Sequence, residues 1–192
     1  YFQHVDAIVS IAREKGIVLA IQPTWGAYVL ALWAAGSSPK LFNEENAREY
    51  GRWLGKHYRN DMNIIWMLGG DRPPQYGGED YIPVWRALAE GLREGDGGSH
   101  MITYHPHGGF SSSYWLHDEP WLDFNCLQSG HGMSGTDNYT RIEVDYNRVP
   151  VKPCFDGEPN YDTIPRSFKP ANGRVTAFEV RRSAYWSLFA GG

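Results

Sequence analysis

Short apolar runs that stop at glycine, proline, histidine or an acid recur along this 192-residue chain, with helical stretches between them. Five such runs stand out, at 17–22, 64–68, 101–104, 122–127 and 151–155. Runs of this length, closed by turn residues, read as buried parallel strands. Strand followed by helix, repeated, implies a parallel sheet with right-handed crossovers.

The helices between them carry their own signals. Val5, Ile8, Val9 and Ala12 recur at helical spacing over 3–15, and Lys15-Gly16 supplies a basic last turn and a glycine stop. Asn43 can cap a helix over 44–59, with Glu44 and Glu45 at its positive end and Lys56, His57 and Arg59 at the other. Ala47, Tyr50, Leu54 and Tyr58 form its apolar stripe. Further helices are predicted at 80–94, 138–147 and 172–189. The polar, Gly- and His-rich residues gather at strand C-terminal ends, which suits an α/β fold of the (β/α)8 (TIM) barrel type. Five strands cannot close such a barrel. The reading is therefore one incomplete domain over 1–192, about strands 3–7 with their helices, and two exposed strand edges. Association with another chain to cover those edges is a possible consequence.

Composition narrows the function classes. Formal net charge is −4 and no Lys/Arg block exceeds two residues, so nucleic acid is not an expected partner. No apolar run is long enough to span a bilayer. Eight Trp and twelve Tyr read either as a large aromatic core or as stacking platforms for flat ligand faces such as sugars. Cys126 and Cys154 lie in strand-like runs and read as buried free thiols. There is no metal-binding Cys motif, and neither metal nor cofactor is expected. The chain opens Tyr-Phe-Gln-His without Met and reads as cut from something longer, which leaves a secreted or periplasmic parent protein open.

Two acids end the two most strand-like segments. Asp71 closes Asn63-Ile-Ile-Trp-Met-Leu-Gly-Gly-Asp71-Arg-Pro-Pro, and Glu158 closes Lys152-Pro-Cys-Phe-Asp-Gly-Glu158-Pro. A pair of facing carboxyls is the minimum equipment for cutting a glycosidic bond. The plainer reading is a turn former or helix cap for each, and Asp156 could equally be the working acid of its segment. Arg72, turned inward, would favour ionised Asp71. It is therefore expected to point away, and a pairing of the two would count against Asp71 as a proton donor.

Six blocks taken in order make the chain resemble the apiosidase-like catalytic domains, (β/α)8-barrel glycoside hydrolases related to a large retaining clan. They are Pro23-Thr-Trp-Gly26, Leu41-Phe-Asn-Glu-Glu-Asn-Ala47, Tyr50-Gly-Arg-Trp-Leu-Gly55, Asn63 through Asp71, Phe124-Asn-Cys-Leu-Gln-Ser-Gly-His131, and Lys152-Pro through Asp156-Gly-Glu-Pro159. The resemblance implies an acid/base on strand four and a nucleophile on strand seven, here Asp71 and Glu158. It implies double displacement on plant cell-wall glycans, pectin-type and apiose-containing ones among them. Most of the wider clan has Asn-Glu where Gly70-Asp71 stands here.

Other residues at strand ends are candidates for the sugar. Trp25 could stack on it. His105, His107, Gln128 and His131 could bind its hydroxyls, with loop-stabilising roles as the plainer reading for the histidines. Tyr161 could donate to the nucleophile. Trp66 reads as core, and Ser111-Ser-Ser as a flexible loop. Two alternatives stand beside the glycosidase: a metal-dependent barrel hydrolase using His105, His107 and His131, and a non-catalytic carbohydrate-binding barrel fragment.

Overall fold

The structure is a computed structural model that describes residues 1–30, 39–131 and 137–192. The chain divides into two compact units, 1–103 and 104–192.

The first unit begins with helix α1 (Phe2–Glu14), strand β1 (Leu19–Ile21) and the short helix α2 (Ala27–Leu30). Helix α3 (Glu44–Tyr58) and strand β2 (Ile64–Leu68) follow. Next come a small antiparallel hairpin of β3 (Gln75–Tyr76) and β4 (Glu79–Asp80), helix α4 (Ile82–Asp96) and strand β5 (Ile102–Tyr104). Asn43 caps α3 as its position predicts: its side chain accepts from the Asn46 N–H at 2.9 Å, and Asn46 returns the bond at 2.8 Å. The sheet order is β1-β2-β5, with β1 and β2 parallel and Leu19 opposite Ile64.

The expectation that the first run is buried needs correction. β1 is three residues long and lies at the sheet edge, with Ala20 exposed, while Ile17 and Val18 before it are 52% and 61% exposed. β2, flanked on both sides, is the buried strand, and Trp66 at 0% exposure is core. The Trp66 indole donates to Asp96 at 3.1 Å, which satisfies the one polar atom that its burial strands.

Helices α3 and α4 meet along a seam of glycines. A Cβ on Gly55 would stand 2.3 Å from the Leu92 carbonyl oxygen, and one on Gly91 would stand 2.2 Å from that of Arg48. Only hydrogen fits at such a distance, so Gly51, Gly55, Gly91 and Gly95 let the two backbones touch. Glu94 ties the rim of the seam to Arg48 and Arg52.

In the second unit the chain forms β6 (Phe110–Ser111), the short helix α5 (Ser113–Leu116), β7 (Asn125–Gln128), α6 (Asn138–Tyr146), β8 (Cys154–Asp156) and α7 (Ala177–Phe189). β7 and β8 are parallel, with Cys126 opposite Phe155. β6 departs from the all-parallel expectation, running antiparallel to β7. The serine run is likewise no flexible loop. Ser112 and Ser113 are buried, Ser113 Oγ donates to Asp145 at 2.5 Å, Ser111 Oγ donates to the same carboxylate, and Ser112 Oγ accepts from Cys126 N–H at 2.9 Å.

α7 starts later than its pattern predicts. Thr176 and Glu179 form a capping box there, and two 3-10 turns, at Arg166–Phe168 and Pro170–Asn172, precede it. Both cysteines are free and buried, and burial pushes the Cys154 thiol up to about 11. Among the described residues the strands do not close a barrel, and no helix is long and apolar enough to cross a membrane. The α/β alternation is that of a partial TIM barrel.

Candidate active site

Glu158 stands two residues beyond β8. Gly157 between them has its N–H bonded to Leu127 O at 2.8 Å, and a Cβ there would lie 2.8 Å from Cys126 Sγ. The chain is thus pressed against β7 until it releases Glu158 at the strand end, with 17% of its side chain exposed.

Three side chains converge on that carboxylate. His105, just past β5, places Nε2 at 3.0 Å from Oε2. His131 places Nε2 at 3.1 Å from Oε1, and the Tyr161 hydroxyl donates to the same Oε1. Tyr161 stacks on the His131 ring with centroids 3.8 Å apart, and Phe168 meets that ring edge-on at 5.4 Å. Partial burial pushes the Glu158 carboxyl up. The hydrogen bonds from His105 and Tyr161, with the charges of His105 and His131, outweigh it and hold the group below its ordinary value of 4.5. Glu158 is set up to stay ionised.

Asp156 has a different task. Its carboxylate accepts from Ser129 N–H at 3.2 Å, Ser129 Oγ at 2.6 Å and Asn138 Nδ2 at 3.1 Å. These bonds brace the ends of β7 and β8 against the start of α6. Of the two acids in Asp156-Gly-Glu158, Asp156 is committed to structure.

The remaining candidates of this unit are placed unequally. Gln128 ends β7. Its backbone carbonyl accepts from Gly109 N–H at 2.8 Å, while its side-chain Oε1 is buried without a hydrogen-bond partner among the described residues. His105 Nδ1 is in the same condition. Buried polar atoms of this kind suit a ligand bearing hydroxyls. His107 packs against Phe110 at 4.5 Å and Trp115 at 5.8 Å, so much of its ring is spent on the loop. Among the described residues no set of three His, Cys, Asp or Glu side chains is arranged to hold a metal ion.

In the first unit Asp71 follows β2 and a Gly69-Gly70 pair, both at positive φ. Asp71 itself has φ +58°, a left-handed conformation that costs a non-glycine residue energy and that Asp tolerates better than most. A Cβ on Gly70 would stand 2.7 Å from Gly26 N, so this turn lies flat against the Trp25-Gly26 backbone. Trp25 is 45% exposed, and the Arg72 guanidinium lies over its ring at 5.4 Å.

Arg72 does not point away. Its Nη1 donates to Asp71 Oδ2 at 2.9 Å. The reason is local: the left-handed turn at Asp71 brings its carboxylate back toward the next residue, whose aliphatic stem is wedged beside Gly26. This is the pairing set out above as counting against Asp71 as a proton donor.

Solved structures similar to this chain include glycoside hydrolases. One is a glycoside hydrolase family 5 protein from Bacteroides vulgatus, 37% identical, with a TM-score of 0.88 over all of this chain and 42% of its own. Another, described as a glycoside hydrolase, is 34% identical, with a TM-score of 0.87 over all of this chain and 44% of its own. The chain thus spans less than half the length of these relatives. Comparison with curated proteins found no match. The model of the apiosidase-like catalytic domain matches residues 1–192, and the chain belongs to that family.

Proposed function

We propose that this chain is the catalytic part of a retaining glycoside hydrolase acting on plant cell-wall glycans, pectin-type and apiose-containing ones included. Glu158 is the nucleophile, and Asp71 is the acid/base on the strength of the family resemblance and against its pairing with Arg72. The observation that carries the reading is the treatment of Glu158: a strand-end carboxylate gripped by His105, His131 and Tyr161 and held ionised against the effect of burial. An ionised carboxylate is what attack on an anomeric carbon requires. Gln128 and His105 have buried atoms suited to sugar hydroxyls, and the exposed Trp25 ring suits stacking on a sugar face.

In the first step the Glu158 carboxylate bonds to the anomeric carbon, and the leaving oxygen departs with its electron pair and takes a proton from Asp71. In the second, water attacks that carbon, gives its proton to Asp71, and the carboxylate is released. Retention needs the two carboxyls about 5–5.5 Å apart.

The test uses the full-length protein on cell-wall oligosaccharides, with released sugars identified by chromatography. Glu158→Gln and Asp71→Asn are each expected to abolish turnover. With a substrate whose leaving group needs no proton, Asp71→Asn regains its first step and Glu158→Gln does not. Asp71→Asn that turns over ordinary substrate normally removes Asp71 from the mechanism and makes the Arg72 pair its whole role.

A further inference from the structure

The loop after Glu158 carries an aromatic ring into solvent at a cost to its backbone. Thr163, Ser167 and Phe168 have φ of +63°, +50° and +58°. The Cβ of an L-residue disfavours this left-handed region, and a bulky or β-branched residue there is an outlier. Phe168 gains little burial in return, since 68% of it is exposed. A single exposed phenylalanine is ordinary in itself. One held in a disfavoured conformation is not, because glycine in its place would avoid the cost.

The rest of the loop enforces that conformation. Its two arms pair at Pro165 and Arg174, with Thr163 N–H donating to Val175 O at 3.1 Å and Val175 N–H to Ile164 O at 3.0 Å. Arg174 Nη1 donates to Thr163 O at 2.6 Å, and the Arg166 guanidinium grips the Glu179 carboxylate with both terminal nitrogens. At the tip, Phe168 N–H donates to Pro165 O at 2.8 Å and Ser167 N–H to His131 O at 3.3 Å. The Phe168 ring is thereby set edge-on against His131, whose Nε2 approaches the Glu158 carboxylate at 3.1 Å. Phe168 stands one ring removed from that carboxylate.

We propose that Phe168 is a stacking platform for the sugar next to the one attacked by Glu158, so that the enzyme favours oligomeric substrates over a lone glycosyl unit. This rests on the reading of Glu158 as nucleophile and deepens it. The sugar under attack occupies the space at the carboxylate itself, and a ring set one imidazole further out meets the neighbouring unit. Sugars present C–H bonds on one face, and an aromatic ring covers that face without needing a polar partner. Backbone strain persists where the surrounding structure over-determines it, and it clusters at sites that clamp ligands. The paired arms, Arg166 and Arg174 are what over-determines it here.

Phe168→Gly, Phe168→Leu and Phe168→Trp test this in the full-length protein. Binding is read by calorimetry with apiose-bearing pectic oligosaccharides, in a Glu158→Gln background that does not turn them over. Kd is expected to weaken about 10-fold for the Gly and Leu variants and to stay near the parent's for Trp. Phe168→Gly also relieves the left-handed φ, so its thermal midpoint is expected to match the parent's or exceed it. With Glu158 restored, Phe168→Leu should lower kcat/KM for the oligosaccharide about 10-fold. For the glycosyl fluoride of the released sugar, which has no neighbouring unit, the fall should be under about threefold. An unchanged Kd in the Gly variant, a lowered midpoint in that variant, or equal falls for oligosaccharide and fluoride overturns the proposal. Failure of the Glu158 reading looks different: Glu158→Gly then gains no activity from added azide, whatever Kd the Phe168 variants show.

Discussion

Replacing Asp156 with alanine separates the two acids that lie two residues apart at the end of β8. Asp156 accepts three hydrogen bonds, two from Ser129 and one from Asn138. Asn138 Nδ2 retains Ser183 O and Ser187 Oγ, both at 2.9 Å, so it loses little. The cost falls on Ser129, which is 5% exposed and whose N–H and hydroxyl lose their acceptor where water reaches poorly. A hydrogen bond to a charged acceptor contributes about 1.5–3 kcal/mol, and a serine hydroxyl can turn to recover part of its share. Asp156→Ala should therefore destabilise the protein by roughly 2–4 kcal/mol. Urea unfolding reads this as a lower midpoint at unchanged slope. Below the unfolding transition the variant is expected to keep most of its turnover. Glu158→Gln should do the reverse, losing less stability than Asp156→Ala and at least about a thousandfold in kcat. The reasoning is refuted if Asp156→Ala unfolds like the parent and is as inactive as Glu158→Gln. The reactive carboxylate would then be Asp156.

Gly55→Ala puts a methyl 2.3 Å from the Leu92 carbonyl and forces α3 away from α4; thermal unfolding should show a net loss of about 1–2 kcal/mol, the strain exceeding the roughly 1 kcal/mol gained in helix propensity. Because the Glu158 carboxyl is held low, the ionised form persists as pH falls and is lost only through its depressed value, so the acid limb of kcat/KM should lie below 4.5, and His105→Asn should move it upward. The same sign applies to stability: what the Glu158 contacts contribute is present above the ordinary carboxylate value and lost as pH falls through the lowered one, which acid titration of wild type against Glu158→Gln measures.

What was legible in the sequence was what is local. Asn43 at the start of α3, the stripe at Ala47, Leu54 and Tyr58, and the breakers after each strand depend on neighbours a few residues away, and each appears where its pattern places it. The two buried thiols and the Tyr161 bond to Glu158 were legible for the same reason. Exposure of β1 was not, because burial of an apolar run depends on what the rest of the chain packs against it. The antiparallel β6 arises from serine hydroxyls that find Asp145, over 30 residues away. His105 and His131 were read as sugar ligands, and the structure adds that their Nε2 atoms meet Glu158, a contact that nothing in their own segments announces. The orientation of Arg72 turned on the left-handed φ of Asp71, which no residue type announces. One signal was present and unread: glycines spaced by four on both α3 and α4 mark helices whose backbones touch.

The proposed attack by Glu158 is tested most directly by trapping it. An activated 2-fluoro glycoside slows the second step, so incubation with the full-length enzyme should leave one sugar covalently attached, and peptide mapping should place it on the Glu158 carboxylate. A label on Asp156 or Asp71, or turnover with inverted product and no label at all, would contradict the mechanism.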